Sequence, residues 1–345
     1  MASGANVKAL WGLELTAAGA ANFGLGAAAV NKPFGYNQDI APSVERNIDR
    51  RYNLGSRAAA RYSRGAFVGN LPISCDLTTP FLLELLFGSY TKSGTETYTY
   101  TFSEEDRLPS AEVQLAETLD DGVLFRQLLG CVAKSGNINI DANSNEPIRL
   151  SLDMAFANEK RSNAIPSAFS TAWTAGGVDT IEPFPQCGSA TWYAWTGAAY
   201  APIADTDSVD IKIDHGTELK PSLGSEFPTR AKFGMRKWDI STLTRFNKAS
   251  PYMDALYGNA LSATPTVPGA PAYIGGGDGS KGLKLELVAA GATPLTYAFE
   301  FSKCIVTQHS NPVKGPDDEL MESVELMAAA CSLTVTNGPA EPVRK

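Results

Sequence analysis

Two histidines, five cysteines and one glycine-rich run are the residues of this 345-residue chain whose types could do chemistry. A nucleophile with its base, a zinc centre and a phosphate cradle each need particular partners at particular spacings. Asp214-His215-Gly216 sets a carboxylate beside an imidazole, but it follows the alternating segment 209–213, where a turn is expected. His215 therefore reads as a surface histidine in that turn. His309 lies in the polar stretch Thr307-Gln308-His309-Ser310-Asn311-Pro312 and reads the same way. Cys75, Cys131, Cys187, Cys304 and Cys331 are scattered, with no C-x-x-C pair. That pattern fits reduced, buried thiols. The run Gly275-Gly276-Gly277-Asp278-Gly279-Ser280 lacks the Lys-Ser/Thr of a P-loop and reads as a hairpin loop. Asp120-Asp121-Gly122 and Asp317-Asp318-Glu319 lack EF-hand spacing. No catalytic residue, metal ligand or cofactor is expected, and the chain does not read as an enzyme.

Charge narrows the partners. The formal net charge is −8 and the pI near 5.0, which argues against a general nucleic-acid binder. An acidic wall would instead let phosphate slide past, where a Lys/Arg wall would hold it by counterion release. The main basic cluster is Arg46, Arg50, Arg51, Arg57, Arg61 and Arg64. In an otherwise acidic chain these arginines are expected to meet acidic surfaces of a neighbouring copy. The first residues, Met1-Ala2-Ser3-Gly4, do not read as a signal peptide, and no apolar run is long enough to span a membrane.

The elements that would position these residues occur twice. Leu54-Gly55-Ser56, Arg61 and Gly65 recur as Leu223-Gly224-Ser225, Arg230 and Gly234, all 169 residues on (223 − 54). Thr79-Pro80-Phe81 recurs as Ser250-Pro251-Tyr252 at 171, and Cys131 with Met154-Ala155 as Cys304 with Met327-Ala328 at 173. Period-two alternation marks strands at 149–156, 209–214, 283–287, 297–302 and 132–141, each with one apolar face. Each half also has one short helix. Thr79 caps, Pro80 starts and Gly88 closes the first; Ser250, Pro251 and Gly258 do so for the second. The expected fold is mainly β: two tandem β-sandwich or β-roll domains, each flanked by one short α-helix. The boundaries read as a lead-in arm at 1–36, a first domain at 37–160, a connector at 161–204, a second domain at 205–335 and a loose tail at 336–345. The cluster Trp192, Tyr193 and Trp195 reads as a possible opening strand of the second domain, matching Trp11.

Several stretches resemble the tail tube proteins of long-tailed (siphovirus-type) bacteriophages, in a double-domain form. Residues 61–71 resemble the family's long strand, 79–88 its flanking helix, and 108–113 the stretch leading into the next strand. Residues 129–132, 137–140 and 147–154 resemble its closing strands. The second half departs where Arg236-Lys237-Trp238 replaces Phe67-Val68-Gly69. The resemblance implies a structural virion protein. Its copies would form pseudo-sixfold, trimeric rings head to tail, stacked into a hollow tail tube through which DNA passes on ejection. It implies self-contacts, a tape-measure protein and viral DNA in the lumen, and tail terminator and tail-tip proteins at the ends. Assembly would occur in the host cytoplasm, with no membrane. Lumen-facing candidates are then Asn137, Asn139, Asp141, Arg149, Ser151, Asp153, Ser323 and Glu325, and the arms locking rings together would be 36–60 and 214–232. Two other readings remain: the inner tube of a contractile tail or another phage ring, and a carbohydrate-binding β-sandwich using Trp192, Tyr193 and Trp195.

Overall fold

Alternation of apolar and polar residues decides most of the architecture, because it turns one face of each strand to a core and the other to water. The computed structural model describes residues 7–339 except 16–21, 28, 53–58, 96, 121, 145, 168, 170–188, 204, 246–250, 259–268, 290–293 and 312–319. Expectations at Arg57, Cys187, Ser250, Asp121, the acidic run 317–319 and the tail beyond 339 lie outside the described residues. For Arg51 and Arg64 only the backbone is described.

The first half contributes β1 (Val7–Leu13), β2 (Asp39–Ile40), β3 (Ser43–Tyr52), β4 (Ala59–Asp76), β5 (Gly88–Ser93), β6 (Tyr98–Glu104), β7 (Ala111–Leu119), β8 (Gly122–Asp141), β9 (Arg149–Phe156) and β10 (Asn158–Ser162). The second contributes β11 (Ala190–Trp195), β12 (Tyr200–Pro202), β13 (Thr206–Asp214), β14 (Glu218–Pro221), β15 (Pro228–Lys232), β16 (Lys237–Arg245), β17 (Leu283–Val288), β18 (Thr296–Ser302), β19 (Ile305–Ser310), β20 (Met321–Ala328) and β21 (Ala330–Gly338). One antiparallel sheet crosses the whole molecule in the order β19-β20-β16-β13-β8-β9-β4-β2, four strands from each half. Behind it, β1, β7, the first part of β8 and β10 form the first half's outer layer. The second half's outer sheet runs β12-β11-β17-β18-β21-β6-β5.

The halves repeat residue pair by residue pair. Ile40 opposes Ile73 as Val209 opposes Thr242, and Arg51 opposes Arg61 as Lys220 opposes Arg230, all at an offset of 169. The β-bulge between Ala133 and Ser135 returns between Val306 and Gln308. Trp11 faces Val113 as Trp192 faces Leu285, so β11 stands in the second half where β1 stands in the first. Gly130 (φ 65°) and Lys303 (φ 51°) share a left-handed backbone at the point where the chain leaves the outer layer for the long sheet. In the first half this corner lies inside the unbroken strand β8. Over β9 and β20 the offset is 172, not the 173 that the matching Met-Ala pairs imply. Asn70 opposes Ala155 as Asp239 opposes Met327. Met154 is therefore core, whereas Met327 is 50% exposed on the wet face.

The β5–β6 hairpin has no strand counterpart among the described residues of the second half. Its strand β6 extends the second half's outer sheet by pairing with β21.

The two short helices fill the space between layers. A 3₁₀ turn, Pro80–Leu83, runs into α1 (Glu84–Phe87), and α2 is Pro251–Tyr257. Phe81, Leu82, Leu85, Leu86 and Phe87 are all buried. Leu86 lies so close to β8 that a Cβ on Gly136 would stand 2.6 Å from it, which is why that core position is glycine. Pro80 starts the first turn, and Gly88 and Gly258 close their helices at φ 110° and 66°. Thr79, however, makes no side-chain cap; the tight i→i+3 bonding of the 3₁₀ turn meets the need that a cap would serve.

Candidate functional site

The wet face of the long sheet brings the scattered polar candidates together. Residues directly opposed on neighbouring strands share a face. One row of such pairs reads Glu325, Ser241, Asp210, Asn139, Arg149, Asp76, the last of these buried. The next reads Met327, Asp239, Lys212, Asn137, Ser151, Ser74, Asp39. Ser323 and Asp141 belong to a third row through Leu243 and Ser208, and Asp153 to a fourth with Lys237, Asp214 and Ser135. All eight residues singled out from the sequence thus stand on one face of one sheet. The opposite faces, with Leu150, Leu152, Met154, Ile138, Ile140, Val209, Ile211, Val324 and Leu326, are buried.

The regularly paired positions of this face carry nine carboxylates (Asp39, Glu45, Asp76, Asp141, Asp153, Asp210, Asp214, Asp239, Glu325) and four cations (Arg149, Lys212, Lys237, Arg245). Two bulge residues add one charge of each sign: Lys134 lies 2.8 Å from Asp153, and Asp207 lies 3.8 Å from Arg245. The face is mixed in sign with a negative surplus. Its centre is a shallow groove of about 510 Å³ bordered by Asp39, Ser74, Asn137, Ser151, Asp153, Asp210 and Lys212. Asp210 and Lys212 were visible in the sequence as the polar partners of Val209, Ile211 and Ile213. Asp39 and Ser74, in contrast, needed the strand pairing.

The arginine cluster follows the β3–β4 hairpin. Arg50 and Arg61 are exposed, next to the exposed Ile48 and Tyr62. Arg46 engages its own chain. Its guanidinium lies 2.9 Å from Glu226, in the turn of the β14–β15 hairpin, and over the rings of Phe67 and Phe227. The second half's hairpin thus leans onto the first half, and the Phe67 amide donates to the Glu226 carbonyl at 2.9 Å.

Both histidines differ from the surface turn residues expected. His215 is 4% exposed, and its Nε2 has no partner. Burial, helped by the nearby Arg236 charge, pushes its pKa down to about 4 from 6.5. The folded state therefore holds His215 neutral while the unfolded chain takes up a proton below about pH 6.5. The resulting stability is complete above that pH and falls away as pH drops towards 4. The loss reaches at most about 3 kcal/mol. Urea unfolding at pH 7 and pH 4.5 should show it in the native chain and show a smaller loss in His215→Gln. His309 is a strand residue, its Nε2 2.6 Å from Glu322 Oε1, with side chains 5% and 1% exposed. The sequence hid both burials because the covering residues come from distant strands.

Among the described residues no three His, Cys, Asp or Glu side chains gather as a metal site. Burial pushes the thiols of Cys75 and Cys304 up to about 12, which keeps them protonated and poorly nucleophilic. Trp192 is core, its indole donating to Tyr252 Oη at 2.7 Å. Lys281 lies over the Trp195 ring at 4.4 Å and Lys284 over Tyr193 at 5.4 Å. The chain's own lysines thus occupy ring faces on which a sugar would stack.

A duplicated β fold with a charged sheet face and no catalytic constellation among the described residues calls for a comparison with structural proteins. No curated protein sequence matches the chain. The family model described as phage tail tube protein matches residues 4–328, nearly its whole length, and the chain belongs to the phage tail tube protein family.

Proposed function

We propose that three copies of this structural tail protein join head to tail into a closed ring with pseudo-sixfold symmetry. Rings then stack into a hollow tube, with the wet face of the long sheet lining a bore for DNA. The observation carrying this reading is the junction inside the chain. There, β13 of the second half pairs with β8 of the first, through Lys212 with Asn137, Ile213 with Gly136 and Asp214 with Ser135. The equivalents of these two strands, β2–β3 and β19, are the outermost strands of the same sheet. Unpaired edges favour further pairing, and a head-to-tail contact that closes removes them all. Applying the offsets of 169 and 173 to the inner junction gives the seam between copies: Ser43 opposite Ser310, Val44 opposite His309 and Glu45 opposite Gln308. The negative surplus of the wet face suits a bore that must not hold phosphate. The β3–β4 and β14–β15 hairpins would link neighbouring halves around the ring, as the β14–β15 turn does within the chain through Glu226 and Arg46, and their outer ends would meet the next ring. A tape-measure protein in the lumen, and terminator and tip proteins at the ends, complete the reading.

Directly opposed antiparallel residues stand about 4.5–5.5 Å apart at Cα, within disulfide range. Oxidised Ser43→Cys/Ser310→Cys protein should therefore run on a non-reducing gel as dimer and trimer, ending at a closed trimer, while either single variant stays monomeric. A product confined to intramolecular bridges, or a ladder running past trimer, would sink the trimeric ring.

A further inference from the structure

The contact that joins the two halves within one chain has a vacant equivalent at the far side of the second half. Within the chain, the turn of the β14–β15 hairpin is seated on the first half: Glu226 meets Arg46, and Phe227 packs on Phe67 with ring centroids 5.3 Å apart. At the repeat offset of 169, the receiving residues Arg46 and Phe67 become His215 and Arg236. The arriving residues Glu226 and Phe227 become Arg57 and Ala58. His215 and Arg236 line a cavity of about 270 Å³, together with Glu105, Asp106, Phe233 and Met235. His215 is 4% exposed with an unpartnered Nε2, and Met235 is 81% exposed at the rim. The cavity is built from both halves. Arg236 donates to the Glu105 carbonyl at 3.2 Å and pairs with Glu104 at 2.9 Å, which leaves the carboxylates of Glu105 and Asp106 as the charge of its rim.

The signs of charge reverse between the two places. Inside the chain an acidic residue, Glu226, arrives at a basic receiver. At the equivalent place the arriving hairpin is basic, with exposed Arg50 and Arg61 and a further arginine, Arg57, in the sequence of its turn, and the receiver presents acids. We propose that this cavity receives the β3–β4 hairpin of a second copy of the chain, so that joints within chains and joints between chains carry opposite charge arrangements. Resting on the ring reading, this gives each half only one electrostatically acceptable neighbour. A first half set beside another first half brings arginine to arginine, and like-charge contacts reject wrong partners.

Reversing one side of the joint tests this. Glu105→Arg/Asp106→Arg and Arg57→Glu should each raise the protein concentration needed for tubes, read by sedimentation and negative-stain microscopy, by about tenfold or more. Combining all three should restore assembly towards the native value. A second readout needs no charge change: Ala58→Cys/Met235→Cys should cross-link between copies under oxidation, and neither single variant should. Native thermal midpoints of the variants exclude misfolding as the cause. Should native protein form tubes while the reversed variants assemble equally well and no cross-link appears, the joint is refuted and the tube reading survives. Native protein that forms no ring or tube at any concentration would refute both.

Discussion

Phage particles whose tail tubes carry Asp210→Lys and Glu325→Lys should assemble normally yet release their DNA slowly at low salt and recover as salt rises. Both residues sit in one cross-strand row with Ser241, Asn139 and Arg149. The double change would replace both acids of that stretch, leaving three cations, lysines at positions 325 and 210 and Arg149, in one line. A lysine that meets a phosphate releases condensed counterions, and each such contact steepens the log–log salt dependence of binding by about 0.9. In the proposed tube, copies would repeat around each ring and along the stack, so the effect would multiply along the path of the DNA. Triggered release followed by dye entry, at about 50 and 200 mM salt, spans a range over which several phosphate contacts change affinity by orders of magnitude. Release that stays as fast as native at low salt would mean that this face does not line the bore. Measuring release from intact particles matters, because lysines on an outer surface would bind added DNA without slowing its exit.

Glu14→Ala is expected to be the most damaging single change to the fold of the first half. Glu14 is 1% exposed. Its carboxylate accepts from the Gly24 amide and the Gly130 amide, each at 2.8 Å, and from the Ser110 hydroxyl. Burial pushes its pKa up against the pull of those donors. Truncation leaves buried donors without an acceptor, at about 1–3 kcal/mol each, so a loss of about 3–5 kcal/mol is expected in urea unfolding. Glu14→Gln keeps one carbonyl acceptor and should lose roughly half as much. The Gly130 amide lies at the left-handed corner of β8, where the strand passes from outer layer to long sheet. Amide exchange at Gly24 and Gly130 should accelerate in Glu14→Ala. Unchanged exchange at Gly130 would show that the corner holds without it.

The sequence made the strand faces legible because period two is a local property: Leu150, Leu152 and Met154 need no distant partner to declare their side. It also made the duplication legible, and with it the family. Three things depended on pairing and stayed hidden. The corner at Gly130 extends the strand read at 132–141 back to Gly122, because a single positive-φ glycine bends the chain without ending it. The burial of His215 comes from the junction of β6 with the β15–β16 link, far apart in the chain. The Met-Ala match between the halves misled by one residue, since side-chain identity says nothing about which face the backbone register presents. Arg46 illustrates the same limit. Its charge announced a partner, but the acid that meets it, Glu226, lies in the chain's own second half.

Among the described residues the β5–β6 hairpin belongs to one half alone, and β6 is spliced into the outer sheet of the other. In the proposed ring, fusion of two similar units would therefore do more than halve the number of subunits to be gathered. The interior can keep repeating once per half-chain while the exterior repeats once per chain. A sleeve or spike that grips the outside would count fewer landing places than the DNA meets within.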